Sequence, residues 1–553
     1  MPSLPATLML AAAITAGTAP AAAAPRAARA AAAAPIPTPK LLVAISVDQF
    51  SGDVFAEYRG LVGAGLKRLS EGAVFPAGYQ SHAATETCPG HSTILTGSRP
   101  ARTGIIANNW FDLSLPRDDK RLYCAEDTDA PGSSADHYEP SVKLLKVPTL
   151  GDRMKRADPA NRSFAVAGKD RAAIMMGGHE TDQMWFWGGR GFVTLKGHPG
   201  PVPAAIAAAN ARVATTIAAA DTPPVPAACA AKAIGVPVGP RSMGEGIVRK
   251  AGDAGAFRAT PAFDGAVADL AIALLDEQKL GRGAGTDVLA ISLSATDYVG
   301  HAFGTEGAEM CTQVLALDHT IGRILTALDR SGVAYAVTLT ADHGGHDLPE
   351  RNAAHGFADE VRATGGATPD AVGAALAADF GLKGTILHGD GRFGDMYLDR
   401  SIPAALRPRV LAAAKARFLA DPQVATVFTG EELRRVIPSG LPIDEWPLAE
   451  RFAASYDPER SGDLVVALRP RLMPTPVTSP AVATHGSPWN YDRRVPILFW
   501  WPGMRGFEQP NPVETVDILP TLAALVRLPV PAAEIDGRCL DLDPGPGTTC
   551  PAK

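Results

Sequence analysis

Leu41-Leu42-Val43-Ala44-Ile45-Ser46-Val47, followed at once by Asp48, is the stretch that indicates the fold. A continuous apolar run of this length, without alternating polar residues, is typical of a strand covered by helices on both faces. Further runs of the same kind, each leading into polar residues, lie at 164–167, 288–293 and 334–339. The sequence therefore predicts several buried strands of one sheet.

Helical patterns separate these strands. Apolar residues recur at a spacing of three to four over 63–71, 266–277 and 309–329. Alternation of strands and helices predicts an α/β fold, with a doubly wound, mostly parallel sheet flanked by helices. Active sites of such folds lie outside the carboxyl ends of the strands. The polar residues that follow the predicted strands are therefore candidates for a single site.

Two segments interrupt the alternation, and both are interpreted as insertions that form a cap. One covers 112–147 and is rich in Asp, Pro and Ser, while the other covers 351–480 and includes a predicted strand at 463–468. The core pattern returns with a strand at 494–500 and ends with a predicted helix over 513–526. The catalytic core is therefore expected to comprise 40–350 and 481–553.

Composition describes an ordinary globular protein. Hydrophobic residues make up 46% of the 553 residues and charged residues 20%, with a net charge of −6. A nucleic-acid-binding surface would require a basic stripe or face, and we expect none here.

Residues 1–35 are interpreted as an export signal followed by an Ala/Pro-rich leader. An apolar, Ala-rich run at 8–24 ends in small residues, as secretory signals do. A disordered Ala/Pro tail is the alternative, since no Lys or Arg precedes the run. No later apolar stretch is long enough to cross a bilayer, so a periplasmic or secreted protein without a membrane span is expected.

Six cysteines are compatible with disulfides in an oxidising compartment. Cys539 and Cys550 flank a Pro/Gly-rich loop that a short bridge could close. The remaining pairing is open, and no spacing suggests a thiolate metal site.

Thr87 lies near the start of a predicted helix, in the motif Thr85-Glu86-Thr87-Cys88-Pro89-Gly90-His91-Ser92-Thr93-Ile94. Pro89 is typical of a first helical turn, which puts Thr87 near the cap position. A hydroxyl there faces unpaired backbone N–H groups and the positive end of the helix dipole, so a phosphate ester could form on it. The simpler interpretation is a threonine cap without further role.

Aspartates and histidines follow several of the predicted strands. The candidate metal ligands are Asp48, Asp297, His301, Asp342, His343 and His485. Asp297 and His301 are four residues apart and can reach one ion from a single helical turn or a tight loop. Three carboxylates and three imidazoles would form two metal sites, and this mixture suits zinc better than magnesium.

Lys169 and Arg171 follow the predicted strand at 164–167. Residues two apart in extended chain point the same way, so both cations are expected to converge on a phosphate group. Two solvated surface charges are the alternative.

Together these motifs resemble the alkaline phosphatase superfamily, and within it the PafA/PhoK-type alkaline phosphatases. The motifs that carry the resemblance are 87–91, Ile105-Ile106-Ala107-Asn108-Asn109-Trp110, 168–171, 297–301, 342–345 and 484–486. The resemblance covers the chain from about residue 40 to its end.

The resemblance implies a ligand set and a mechanism. Asp297, His301 and His485 would hold one zinc, and Asp48, Thr87, Asp342 and His343 the other; additional Ca²⁺ or Mg²⁺ is left open. Thr87 would be the nucleophile that forms a phosphothreonine intermediate. Asn108, Lys169 and Arg171 would bind the phosphoryl oxygens, with Asn109 as the alternative to Asn108. Small phosphate monoesters are the implied substrates and inorganic phosphate the product.

Three other functions share parts of this pattern. Sulfatases carry Cys-x-Pro-x-Arg, which Cys88-Pro89-Gly90-His91 does not match. A nucleotide pyrophosphatase/phosphodiesterase of the same superfamily shares the threonine and two zincs, but a diester carries one charge less and does not need both Lys169 and Arg171. An exported phosphate-binding protein without activity would need no nucleophile.

Overall fold

The computed structural model describes residues 38–197 and 201–551. The predicted export signal and leader at 1–35 lie outside these residues. Among the described helices, none combines the length and apolar character that a membrane span requires.

The strands of the described chain are, in order, β1 (Leu41–Val47), β2 (Ala73–Tyr79), β3 (Asn109–Phe111), β4 (Arg121–Tyr123), β5 (Arg162–Ala167), β6 (Gln183–Trp187), β7 (Phe192–Val193), β8 (Val236–Val238), β9 (Arg241–Met243), β10 (Asp287–Leu293), β11 (Tyr335–Thr340), β12 (Val361–Arg362), β13 (Leu387–His388), β14 (Gly394–Leu398), β15 (Val424–Thr429), β16 (Leu464–Leu468), β17 (Leu472–Met473), β18 (Arg494–Trp500), β19 (Phe507–Glu508) and β20 (Val513–Glu514).

The α-helices of the same residues are α1 (Gly52–Tyr58), α2 (Gly65–Leu69), α3 (Thr87–Ile94), α4 (Pro100–Thr103), α5 (Leu150–Ala157), α6 (Asp170–Gly177), α7 (Ala204–Ala218), α8 (Ala254–Phe257), α9 (Pro261–Glu277), α10 (Ala295–Phe303), α11 (Ala308–Ser331), α12 (Pro349–Ala354), α13 (Pro369–Phe380), α14 (Arg407–Ala420), α15 (Gly430–Arg434), α16 (Leu448–Ala453), α17 (Asn490–Arg493) and α18 (Ile518–Leu525).

The central sheet has the strand order β19-β2-β18-β11-β1-β10-β5-β6-β7, with β20 paired to β2. β1 pairs in parallel with both β10 and β11, and β5 pairs in parallel with β10 and β6. β18 runs antiparallel to both of its neighbours. The sheet is therefore mixed and mostly parallel, which confirms the predicted fold class.

Both faces of the sheet are buried. Leu41, Val43 and Ile45 pack into one hydrophobic cluster, and Leu42 and Ala44 pack into a second. Successive side chains of a strand point to opposite faces, so the apolar run of β1 supplies two cores at once. This explains why the run does not alternate with polar residues.

The predicted helix over 513–526 is wrong at its start. Val513 and Glu514 form β20, which pairs with β2, and a 3₁₀ turn at Thr515–Asp517 leads into α18. Backbone pairing at the sheet edge therefore takes precedence over the helical pattern of this segment. The predicted helix over 63–71 is also shorter, because α2 covers only Gly65–Leu69.

A second, four-stranded sheet has the order β13-β14-β16-β15, and we call it the smaller sheet. Its strands pair antiparallel throughout and carry a hydrophobic cluster of their own with α13 and α14. All four strands lie within 351–480, the segment for which we propose a cap role. The predicted strand at 463–468 corresponds to β16.

Candidate metal centre and active site

Two groups of possible metal ligands lie at the carboxyl ends of the central strands. One group is Asp297, His301 and His485, and the other is Asp48, Asp342 and His343. Within each group the ligand atoms lie within 4.8 Å of one another. The six residues that were predicted from sequence therefore come together in two sets of three.

The first group combines a helix with a loop. Asp297 and His301 are four residues apart on α10, and His301 Nε2 lies 3.3 Å from Asp297 Oδ1. His485 Nε2 approaches the same oxygen to 3.4 Å. His485 reaches the site from the segment that precedes β18, because β18 runs antiparallel and its amino end lies at the site.

The second group follows two neighbouring parallel strands. Asp48 follows β1, and Asp342 and His343 follow β11. His343 Nε2 lies 3.5 Å from Asp48 Oδ1 and 3.4 Å from Asp342 Oδ2. Gln49 has a left-handed backbone with φ of 61°, and its N–H donates to Asp342 Oδ1 at 3.1 Å. Strained backbone of this kind is a feature of functional sites.

Backbone carbonyl groups orient all three imidazoles. The Nδ1–H groups of His301, His343 and His485 donate to the carbonyl oxygens of Ala483, Gly344 and Thr85 at 2.8, 2.9 and 2.8 Å. Such hydrogen bonds fix the tautomer of a metal-ligating histidine and leave Nε2 available to the metal.

Burial and close charges shift the pKa values of several groups at the site. Burial raises the pKa of Asp48 well above its usual range, and repulsion from Asp297 and Asp342 adds to the effect. Burial lowers the pKa of His343 to about 3 and also lowers the pKa of His485. Burial alone would lower the pKa of His301, but the Asp297 carboxylate raises it instead.

Several polar atoms of these residues are buried without a hydrogen-bond partner. They are Asp48 Oδ1, Asp297 Oδ1, Asp342 Oδ2 and His343 Nε2. Leaving such atoms unpaired in a protein interior is unfavourable, and metal coordination is a common way to satisfy them. The donor set of neutral imidazole and carboxylate thus fits metal ions at both groups.

Thr87 is the first residue of α3, and its side chain is buried. The cap residue is Glu86, with extended backbone at φ −121° and ψ 164°, and Thr87 directly follows it, near the cap position as predicted. Gly90 packs against the loop after β11, where an added Cβ would lie 2.0 Å from the carbonyl oxygen of Asp342. Glycine at 90 therefore lets α3 pack closely against the loop that carries Asp342.

Lys169 and Arg171 both reach Thr87, although not for the predicted reason. Lys169 is the N-cap residue of α6, and Arg171 lies in the first turn of that helix. The two residues therefore do not lie on extended chain, as the prediction assumed. Lys169 Nζ lies 3.3 Å and Arg171 Nη2 3.5 Å from Thr87 Oγ1. Lys169 Nζ also lies 2.7 Å from Asp48 and 2.6 Å from Asp297, one carboxylate from each metal group.

Asn108 and Asn109 point to different places. The Cys88 N–H donates to Asn108 Oδ1 at 2.8 Å, next to Thr87. The Asn109 side chain instead donates to Asp390 Oδ2 at 3.4 Å. The side-chain oxygen of Asn108 thus already accepts a hydrogen bond. The side-chain NH₂ group is therefore the part of Asn108 that can donate to a phosphoryl oxygen.

Sequence reasoning gave no role to three residues around the site. Glu86 accepts from the Asn108 N–H at 2.6 Å, and His91 Nδ1 lies 3.0 Å from Asp342 Oδ2. Tyr123 OH accepts from Arg171 and donates to Asp170 Oδ1 at 2.9 Å. Glu86 and His91 lie within the motif around Thr87, so their position in the sequence could have indicated a role at the site. No residue near Tyr123 in the sequence indicates its contact with Arg171.

All six cysteines are paired, as Cys88–Cys124, Cys229–Cys311 and Cys539–Cys550. The short bridge predicted near the carboxyl terminus is thereby confirmed. Cys88 directly follows the candidate nucleophile, so the first disulfide links α3 to the segment that follows β4.

A mixed, mostly parallel sheet that carries two metal-ligand groups beside a buried threonine defines a class of metal-dependent phosphate-ester hydrolases. A family model described as type I phosphodiesterase / nucleotide pyrophosphatase matches residues 42–488. Alkaline phosphatase PhoD of Zymomonas mobilis is 53% identical over 93% of this chain and 90% of its own length. Alkaline phosphatase PhoK of a Sphingomonas species is 55% identical over 93% of this chain and 92% of its own length.

Among solved structures, wild-type alkaline phosphatase PafA superposes with a TM-score of 0.78 at 25% identity, covering 91% of this chain and 98% of PafA. The chain belongs to the type I phosphodiesterase / nucleotide pyrophosphatase family, as an enzyme of the PafA/PhoK type within the alkaline phosphatase superfamily.

Proposed function

We propose that this enzyme hydrolyses phosphate monoesters at a two-zinc site, through a phosphothreonine intermediate on Thr87. The observation that carries the proposal is the position of Lys169 Nζ. It lies 3.3 Å from the Thr87 hydroxyl and within 2.7 Å of one carboxylate from each metal group. The hydroxyl, both ligand groups and a cation therefore meet around one small space.

The ligand chemistry supports zinc, because each group combines imidazole with carboxylate, a donor set that suits zinc better than magnesium. Ligand atoms within each group approach one another to 3.3–3.5 Å. Asp297, His301 and His485 would hold one ion, and Asp48, Thr87, Asp342 and His343 the other. Bound zinc supplies Lewis acidity, which lowers the pKa of the threonine hydroxyl and stabilises charge on the leaving oxygen.

The chain's own residues perform two in-line displacements. The Thr87 hydroxyl loses its proton to water, and its Oγ forms a bond to phosphorus while the bond to the leaving oxygen breaks and the electron pair remains on that oxygen. Water then loses a proton and attacks phosphorus from the opposite side; the Thr87–phosphorus bond breaks, Thr87 Oγ is protonated again, and inorganic phosphate leaves. Asn108, Lys169 and Arg171 bind the non-bridging oxygens and stabilise their charge in the transition state.

Monoesters are favoured by the cations at the site. Lys169 and Arg171 lie together beside Thr87, and they match the two charges of a monoester dianion. The family model's description makes diester hydrolysis the second candidate. We expect a higher kcat/KM for p-nitrophenyl phosphate than for bis-p-nitrophenyl phosphate. A clear preference for the diester would exclude the monoesterase assignment.

Thr87→Ala tests the nucleophile. Removal of an essential nucleophile should reduce kcat by about four orders of magnitude or more. Trapping of [³²P]phosphate on the wild-type protein, and its absence from the variant, would identify the phosphothreonine. Wild-type turnover by the variant would refute the assignment.

Export to the periplasm or medium is part of the proposal. Three disulfides are typical of proteins that mature in an oxidising compartment. Fractionation of the native host, with activity measured in each fraction, tests it. Activity confined to the cytosol would contradict export.

A further inference from the structure

A cavity of about 300 Å³ lies beside the candidate metal centre. His301, His485 and Asn108 line it, together with residues of the smaller sheet and its loops. Thr87 and the second metal group are not among its lining residues. The cavity therefore adjoins the group of Asp297, His301 and His485 through its two histidines.

Aromatic side chains form much of its wall. Phe111 and Tyr397 lie with ring centroids 5.7 Å apart, and Phe393 lies on the connection between β13 and β14. An atom at the Cβ position of Gly486 would lie 3.4 Å from the Phe393 ring, so this ring covers the loop that carries His485. Such rings offer flat apolar surface to a bound group.

Carboxylates line the same cavity, namely those of Glu86, Asp390 and Asp395. Asp395 accepts from the Gly462 N–H at 2.7 Å. Burial raises the pKa of Asp395 to about 6, so this carboxylate is ionised in alkaline solution. The nearest cation to Asp390 is Arg121, at 3.7 Å, and Arg121 also contacts Asp119 and Asp136. Apart from His301 and His485, the ionisable acid and base groups among the lining residues are therefore carboxylates and the Tyr397 and Tyr456 phenols, without Lys or Arg.

We propose that this cavity binds the leaving group of the substrate and selects aromatic alcohols that are neutral or cationic over alcohols that carry further phosphate groups. The inference rests on the proposed function, because it requires an in-line displacement at Thr87. In that geometry the leaving oxygen lies opposite the nucleophile, beside Asp297, His301 and His485, and its substituent extends into the cavity. The bond from phosphorus to this oxygen breaks, and the departing alkoxide takes its proton from water.

Aromatic selection predicts the effect of Phe393→Ala. The ratio of kcat/KM for phenyl phosphate to kcat/KM for methyl phosphate should fall about tenfold, since methanol leaves the cavity unfilled. Each result is a ratio between variant and wild type, so the different intrinsic reactivities of the two esters cancel. Phe357→Ala is the matched control, because that ring is 46% exposed and lies outside the cavity.

Charge selection predicts the effect of Asp390→Asn combined with Asp395→Asn. At a separation of several ångströms, removing two negative charges should raise kcat/KM for hydroquinone bisphosphate, whose leaving group is a phenol that carries a second phosphate, about five- to tenfold relative to phenyl phosphate. Asp390→Asn alone provides a second measurement if the double variant folds poorly. Asp370→Asn, which removes an exposed carboxylate at the start of α13, should leave the ratio unchanged.

The outcomes separate this inference from the proposed function. Unchanged ratios in both experiments, with normal turnover of methyl and phenyl phosphate, would overturn the leaving-group cavity alone. No turnover of either ester by the wild type would overturn the proposed function and this inference with it. A shift in one ratio only would support the corresponding part, aromatic or charge selection, and refute the other.

Discussion

Arg171 reaches Thr87 through a guanidinium group that neighbouring side chains hold in place. Its Nη1 donates to Tyr123 OH at 3.3 Å, and Tyr123 donates to Asp170. Tyr138 donates to the second oxygen of Asp170 at 2.8 Å. The same carboxylate thus binds both phenols, but only Tyr123 contacts the arginine.

Tyr123→Phe should therefore affect catalysis more than Tyr138→Phe. Loss of one hydrogen bond that orients a charged group corresponds to about 1–2 kcal/mol, or roughly a five- to thirtyfold decrease in kcat/KM. We expect this decrease for p-nitrophenyl phosphate and a smaller one for its diester, because Arg171 serves the second charge of the monoester. Tyr138→Phe is the matched control, and equal losses in the two variants would contradict a positioning role for Tyr123.

At the scale of elements, the Cys88–Cys124 disulfide joins α3 to the segment that holds Asn108. The Cys124 N–H donates to the Asn108 carbonyl oxygen at 2.9 Å, while the Cys88 N–H donates to the Asn108 side chain. Glu86 accepts from the Asn108 N–H. One covalent bond and three hydrogen bonds therefore fix Asn108 relative to the nucleophile.

The double substitution Cys88→Ser and Cys124→Ser should lower kcat beyond its effect on stability. Removal of either long-range disulfide should lower the free energy of unfolding by about 2–5 kcal/mol. Cys229→Ser with Cys311→Ser is the control, since that bridge lies in the helical layer away from Thr87. Assays well below both melting temperatures should show reduced kcat only in the first variant. Equal kcat values would show that the disulfide near Thr87 is purely structural.

Asp152, at the start of α5, connects that helix to the segment between α6 and β6. Its carboxylate accepts from the N–H groups of Thr149, His179 and Glu180, and from the His179 ring. Burial alone would raise the pKa of Asp152, but the hydrogen bonds from His179 and the backbone lower it. Hydrogen bonding to Asp152 in turn raises the pKa of His179.

Asp152→Asn should lower the free energy of unfolding by about 1–3 kcal/mol, in a pH-dependent way. A lowered carboxyl pKa stabilises the fold above about pH 3.9, and this contribution disappears as the pH falls through the folded-state pKa. A raised imidazole pKa stabilises it below about pH 6.5, and this contribution disappears as the pH rises through the folded-state value. The difference between wild type and variant should therefore be largest between these two values. Urea titrations across this range measure it, and a difference that is constant with pH would refute the linkage.

Strands and helices with a local sequence signal could be predicted, whereas contacts between residues distant in the chain could not. The apolar runs of β1 and β10 are local signals of burial on both faces. The polar residues that follow them include Asp48 and Asp297, which the structure places in the two candidate ligand groups. The antiparallel direction of β18 and the contact of Tyr123 with Arg171 depend on residues far apart in the chain, which no local pattern contains. Lys169 and Arg171 were correctly predicted to lie together, but from an extended geometry that the start of α6 replaces.

At the scale of the whole molecule, the metal groups join strands and loops from distant parts of the chain. Asp48 follows β1, Asp297 and His301 lie on α10, Asp342 and His343 follow β11, and His485 precedes β18. These aspartates are buried, and burial raises the pKa of Asp48, with repulsion from Asp297 and Asp342 adding to the effect. Ions that bind the folded chain should therefore stabilise the whole central sheet as well as supply chemistry.

Chelation should lower both activity and melting temperature. A site filled at about a thousand times its Kd contributes about 4 kcal/mol, so emptying two sites should lower Tm by about 5–10 °C. His301→Ala removes a ligand from one group and should roughly halve the shift on chelation. His346→Ala is the matched control. His346 directly follows Gly344 and Gly345, close in sequence to the ligand His343, but its ring packs on Tyr491, and it belongs to neither ligand group. Zinc added back to the chelated wild type should restore Tm and activity together. Restoration of Tm by zinc without activity would indicate a structural metal and contradict the proposed catalytic role, whereas restoration by magnesium alone would contradict the zinc assignment.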